Sequence, residues 1–240
     1  MLSRRDRLAA AALAAATLLA PALAGAAPIS YRLRFERYWN ESQVEPGTYP
    51  GNAHFTQLAI ATHDETPLWL PGQAASPGLE DLAETGSTTR IEAEVRARVS
   101  AGTAGGYFEA PAPFIGTLET ETTFTVDLAH RFVSAASMVA PSPDWFVGIY
   151  GVDLAPAGEF VAQLGFELRP WDAGTEQGGL FRLENPDSDP RGAIAPRRRP
   201  FVGDPVIGRI TLTQIPEPGS LLLAAAGLLG LAWRARAAGR

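Results

Sequence analysis

The sequence predicts a mainly β protein: an antiparallel β-sandwich with one or two short helices in an early connection. Three observations predict it. From residue 117 onward, short runs of strand-forming residues recur between turns rich in Pro and Gly. The first segment after residue 28, "ISYRLRFERYW", alternates strictly between apolar and polar residues. Capped helix signals gather between residues 76 and 101.

In the opening strand, Ile29, Tyr31, Leu33 and Phe35 fall on one face and Ser30, Arg32, Arg34 and Glu36 on the other, the pattern of a half-buried strand. "NESQVEPGTYPGN" follows as a loop. "AHFTQLAIATH" is apolar and short, and reads as a strand or a buried turn of helix. "SPGLEDLAETG" reads as a helix, with Ser76 as cap, Pro77 just inside, acids in the first turn and Gly86 as terminator. "TTRIEAEVRARVS" alternates like a strand, yet Ile91, Val95 and Val99 also form a helical stripe and Glu, Ala and Arg favour helix, so it is assigned as helix. In "TLETETTFTVDLAH", Leu118, Thr122, Phe124, Val126 and Leu128 share one face, and Thr123, Thr125 and Asp127 the other. "RFVSAASMVA", "DWFVGIYGVDL", "EFVAQLGFEL" and "VIGRITLTQI" complete the strands, with an acidic, Pro-rich loop over residues 170–205 before the last.

Both ends carry targeting signals. Residues 1–26 have a basic start (Arg4, Arg5, Arg7), an Ala/Leu stretch and small residues at the exit, as a secretory signal peptide does. At the other end, Pro216-Glu217-Pro218 precedes the uncharged residues 220–233 and then Arg234, Arg236 and Arg240. Fourteen residues are short against the ~20 of a bilayer span, but the arginines fit the positive-inside rule. This tripartite segment resembles the PEP-CTERM sorting tail of exopolysaccharide-producing bacteria. The resemblance implies transient insertion of a transmembrane helix in the inner membrane and processing by an exosortase-type enzyme near Pro216, Glu217 and Pro218.

Between these ends, residues 27–215 suit a single domain. They hold 14 arginines against 24 carboxylates, a net charge of −10, which repels nucleic acid and anionic membrane. There is no cysteine, so disulfides and thiol chemistry are excluded. His54, His63 and His130 lack metalloprotease or zinc-site spacing, and neither a GxSxG elbow nor a phosphate loop occurs.

Two acidic corners stand out: Asp144 after "PSP", and Asp172 in "PWDAGTEQGG". Pro141 and Pro143 stiffen the first corner. Two carboxylates held in loops of an acidic exported chain suit calcium, which takes six to eight oxygens, with Thr175 and Glu176 as local contributors.

"MVAPSPDWFVG" and "PWDAGTEQGG", with "YRLRFERYW", "YPGNAHFTQLAIATH", "LWLPGQAASPGLEDLAETG" and "HRFVSAASM", resemble the spondin domain, the N-terminal module of F-spondin and mindin, over residues 30–213. The resemblance implies a C2-like β-sandwich binding one calcium ion, in matrix and adhesion proteins. By that resemblance the calcium acids fall on Asp144 and Asp172. A third family ligand, a Glu, falls on Thr125, a neutral and weaker ligand, with Asp127 two residues on as its substitute on the same strand face. The expected protein is an exported, calcium-binding adhesion or matrix module, not an enzyme, found at the bacterial cell envelope or in the extracellular matrix. Its expected partners are the exosortase-type enzyme and a polysaccharide or cell-surface ligand; nucleic acid is excluded. The alternative is a polysaccharide-modifying enzyme using Asp144 and Asp172 as a carboxylate pair. Arg197, Arg198 and Arg199 read as a solvated loop cluster or a contact for anionic polysaccharide.

Overall fold

A computed structural model describes residues 27–113 and 118–216. The signal peptide, Glu217, Pro218, residues 220–233 and the terminal arginines lie outside the described residues, as therefore does the expected membrane segment. Among the described residues no helix is long and apolar enough to cross a membrane.

The elements run β1 (Ile29–Arg37), β2 (His54–Phe55), β3 (Leu58–His63), α1 (Pro77–Thr85), α2 (Thr89–Ala101), β4 (Ala104–Ala110), β5 (Glu119–Val126), β6 (Phe132–Ala140), β7 (Trp145–Asp153), β8 (Gln163–Leu168), β9 (Trp171–Asp172), β10 (Ala195–Pro196) and β11 (Gly208–Gln214). One sheet has the order β5-β1-β11-β8. The other has the order β10-β9-β7-β6-β3-β4, with β2 added against β6, and the strand pairs of both sheets are antiparallel. The fold is the predicted β-sandwich.

The alternation in β1 sets the packing. Tyr31, Leu33 and Phe35 are wholly buried, and they meet Phe124 and Val126 of β5 and Ile210 and Leu212 of β11. Across the sandwich, Leu58, Ile60, Val133, Val139, Trp145 and Val147 close the same core. Leu118 and Leu128, expected on the apolar face of β5, are instead 65% and 40% exposed.

β3 and β6 lack that alternation because they are covered on both faces. Every residue of β3 is buried, and all of β6 except Phe132. Leu79, Leu82 and Ala83 of α1 and Ile91 and Val95 of α2 pack with Ala59, Ala61, Ala136 and Phe146 in a second core outside the sheet. The apolar run around residues 58–63 is thus a strand under a helical layer, which periodicity by itself does not separate from a buried helix. Val99, third in the expected α2 stripe, is 40% exposed because α2 contacts the core only in its first turns. β4 escapes sequence reading because its "GG" at residues 105–106 reads as a turn; Gly105 is needed because a Cβ there would stand 2.9 Å from Thr62 Oγ1 and 3.0 Å from His130 Cβ.

The α1 start is doubly capped. Ser76 Oγ accepts from Leu79 N at 3.2 Å and donates to Glu94 Oε2 at 2.7 Å, while Glu94 Oε1 accepts from Gly78 N at 2.6 Å. At Gly78 a Cβ would lie 2.6 Å from Ile91 Cα, so α1 and α2 cross at van der Waals contact there. Intrinsic propensity favours Ala over Gly in a helix by ~1 kcal/mol, but overpacking opposes it by ~1–3 kcal/mol. Gly78→Ala is therefore expected to lower stability in urea denaturation; a stabilised variant would show that the helices part freely.

Candidate functional site

The corner between β6 and β7 is built from Pro141, Ser142, Pro143 and Asp144, with a cis peptide bond before Pro141. Ser142 Oγ accepts from Trp145 N at 3.1 Å and closes the turn. Asp144 is wholly buried. Its Oδ2 accepts from Thr175 N at 2.7 Å, Glu176 N at 3.1 Å and Thr175 Oγ1 at 3.4 Å, and its carbonyl accepts from Ala173 N at 3.0 Å. Its Oδ1 is buried without a hydrogen-bond partner. Burial, and next the charge of Asp172, raise this carboxyl above its ordinary range against the pull of the donated hydrogen bonds.

Asp172 lies beside Trp145 in the β7–β9 register. Its Oδ1 accepts from Gly174 N at 2.9 Å, and its Oδ2 from Arg197 Nη1 at 2.9 Å. The Arg197 guanidinium lies 4.2 Å from the centroid of the Trp145 ring and also donates to the Gly178 carbonyl at 3.3 Å. Arg197 is therefore clamped into the corner rather than solvated, which the "RRR" run did not disclose. Arg199 does point outward, 84% exposed and 3.5 Å from Glu45.

A second carboxylate group joins from α1. Glu84 is pushed up to about 7, chiefly by burial, then by the charges of Glu176, Glu80 and Asp144, with the Thr175 hydroxyl opposing. Glu176 is also raised, again chiefly by burial. No sequence spacing links Glu84 to the corner; the crossing of α1 over the sheet places it there.

Thr125 and Asp127 lie elsewhere. Thr125 pairs with Ser30 at the end of β5, and Asp127 accepts from His130 N at 2.8 Å and faces its Nδ1 at 3.2 Å. That end of the fold is where β6 begins and β7 finishes, marked by the Arg131–Asp153 ion pair at 3.0 Å. The nine residues of β6, at ~3.3 Å each, separate it from Asp144. The four expected ligands Asp144, Asp172, Thr125 and Asp127 therefore do not form one site: a shared strand face in β5 does not carry residues to the far end of β6.

Calcium fits the corner poorly as it stands. Arg197 and Gly174 N take the oxygens of Asp172, three donors take Asp144 Oδ2, and of the two aspartates only Asp144 Oδ1 is left without a partner. Among the described residues, no group of three or more His, Asp or Glu is arranged to hold a metal ion. A carboxylate pair for glycoside cleavage fails too, since Asp144 has no solvent-facing surface to meet a substrate. His63 is equally enclosed: its Nε2 meets Ser134 Oγ at 2.8 Å, and that oxygen accepts from Leu68 N and Gly151 N, so the hydroxyl proton goes to a neutral imidazole. Burial lowers the His63 pKa accordingly.

The sandwich, its covering helices and the tied "PSPDW" corner belong to residues that a family-wide profile, Spondin_N, matches from 29 to 204. The chain belongs to the spondin N-terminal domain family. It is 32% identical to human Spondin-2 over 169 residues, 68% of this chain and 51% of that protein. It is 33% identical to Spondin-1 of Xenopus laevis over 173 residues, 69% of this chain and 21% of that protein, and 32% identical to bovine Spondin-1 over 194 residues, 75% and 24%. The chain thus spans about half the length of Spondin-2 and about a quarter or less of Spondin-1. Residues 214–237 match the PEP-CTERM protein-sorting motif, so this spondin is an exported, exosortase-sorted protein of the envelope or extracellular space.

Within the spondin module, Asp144→Ala removes the acceptor for the buried Thr175 N–H and the half-buried Glu176 N–H. It is expected to cost about 2–4 kcal/mol in denaturant unfolding, whereas Asp144→Asn keeps one carbonyl in place and costs less. Melting wild type and Asp144→Asn with millimolar calcium and with chelator is expected to give coincident curves for each protein. A calcium-dependent rise in Tm of the wild type, absent in Asp144→Asn, would restore a metal to this corner.

Glu84 gives the pH dependence a sign. A carboxyl raised to about 7 in the fold stabilises it fully below the unfolded value near 4.5, and that stability is lost as pH rises through about 7. Glu84→Gln is therefore expected to flatten the decline in Tm between pH 4.5 and 7.5. An unchanged slope would place the titrating group elsewhere.

Proposed function

We propose that the chain is a non-catalytic adhesion or matrix module of the spondin type, sorted through its C-terminal segment and held at the envelope or in the matrix by contact with extracellular polysaccharide. The observation that supports this reading is the conjunction of the two matches. A Spondin_N module occupies residues 29–204, and the sorting motif begins at residue 214, with no further domain between them. The relatives carry spondin names and align over this module. A fold that buries Asp144 completely supports binding through surface rather than chemistry in a cleft.

On this reading the segment after Pro216 enters the inner membrane until the exosortase-type enzyme acts near Glu217 and Pro218, and the module is then delivered outward. The single calcium ion expected from the family has no assembled shell at the corner. The Asp144 hydrogen bonds and the Asp172–Arg197 pair tie these loops together. Deleting residues 216–240 is expected to shift the protein between the envelope-associated and released fractions of the culture. An unchanged distribution would remove the sorting role from this segment.

A further inference from the structure

The four-stranded sheet turns one face to the core and the other outward, and the outward face carries a groove of about 610 Å³. The period of two that buries Tyr31, Leu33 and Phe35 places Arg32, Arg34 and Glu36 in this groove. β11 adds Arg209, Thr211 and Thr213, and β8 adds Gln163 and Gly165. Three of the core's 14 arginines thus line one groove of a module whose net charge is −10.

The three are not equally engaged. Arg32 faces Glu121 at 3.7 Å, and Arg34 pairs with Glu119 and faces Glu36 at 3.5 Å. Arg34 Nε nevertheless remains buried with no hydrogen-bond partner. Arg209 forms no ion pair among the described residues, although its register neighbours are Glu36 and Glu167. Gly165 explains how it lies: a Cβ there would stand 2.7 Å from Arg209 Nη2, so the guanidinium occupies the space that a side chain on β8 would fill. A glycine inside a strand weakens it; here its absence of a side chain lets Arg209 lie across the sheet.

We propose that this groove binds a segment of carboxylate-bearing polysaccharide, with Arg209 as the principal contact for a sugar carboxylate. The proposal rests on the polysaccharide association above and supplies its site. Guanidinium recognises carboxylate through two parallel N–H donors, and Arg209 has a fork not already committed to a protein carboxylate. Around it, the Tyr38 phenol, the Thr211 and Thr213 hydroxyls and the Gln163 amide donate and accept, as sugar hydroxyls require. Glu36 and Glu121 accept from hydroxyls but repel a close succession of phosphates, which disfavours nucleic acid. At physiological ionic strength the repulsion from the remaining acidic surface is screened beyond ~8 Å, leaving the contact charges to decide.

The test uses the exported protein in affinity electrophoresis at physiological salt, with polygalacturonate, dextran and polyglutamate as probes. Wild type is expected to be retarded by polygalacturonate and not by the other two. Arg209→Gln is expected to weaken that retardation about tenfold or more, and Gly165→Val to weaken it by displacing the guanidinium. Arg96→Gln on α2 is expected to leave it unchanged. Coincident melting curves for wild type and Arg209→Gln show that the loss is not unfolding. Undiminished retardation of Arg209→Gln, or equal retardation by polyglutamate, overturns the proposal. Binding of polygalacturonate and dextran alike, insensitive to Arg209→Gln, removes this groove while leaving polysaccharide association intact. Failure of the wild type to bind any polysaccharide removes both.

Discussion

A carboxylate with no access to water has to find its donors within the protein, and Asp144 finds them in Thr175 and Glu176. That requirement sets the course of the long irregular chain between β9 and β11. Once Ala173, Thr175 and Glu176 are bonded to the corner, Asp172 stands beside Trp145 and the loop must turn back over it. Arg197 then returns with the charge that Asp172 lacks and covers the Trp145 ring. Phe181 and Phe201 pack against Trp145 from the same loop, with Trp39 completing the aromatic group. The segment is long and has little regular structure, yet polar ties at one end and aromatic burial at the other hold it.

Several acids gather at this corner, though among the described residues no three of them are arranged to hold a metal ion. Each carboxylate has a different solution to its charge. Asp172 is ion-paired, Asp144 is hydrogen-bonded and raised, and Glu84 and Glu176 are raised chiefly by burial. Burial raises three of these carboxyls, and Arg197 pairs with the fourth. At the opposite end, His130 Nδ1 lies 3.2 Å from Asp127 and Arg131 pairs with Asp153 at 3.0 Å.

The two faces of the sandwich divide the remaining work. Helices α1 and α2 seal the outer face of the β3–β6 region. The β5-β1-β11-β8 sheet has no such cover, and its outer face carries arginines, glutamates and hydroxyls in register across four strands. The uncovered sheet is the one on which the polysaccharide contact is proposed.

Much of this was legible in the residues. Alternation in "ISYRLRF" assigned β1 its inner face, Ser76, Pro77 and Gly86 marked the ends of α1, and "PSPDW" announced a stiff acidic corner, because local sterics and capping act within a few residues. The pairing of Asp144 with the segment after Asp172 was anticipated from two similar corners. Period and propensity could not reveal that Arg197 neutralises Asp172, that Glu84 arrives from α1, or that Thr125 and Asp127 end a strand's length away, since each depends on which strands are neighbours. The sequence by itself determined the alternating strands such as β1, the caps of α1 and the placing of acids in turns, through interactions that span a few residues. Only the tertiary structure decided which charges meet, because burial and distance between remote segments, not residue type, set what each carboxylate and each arginine is free to bind.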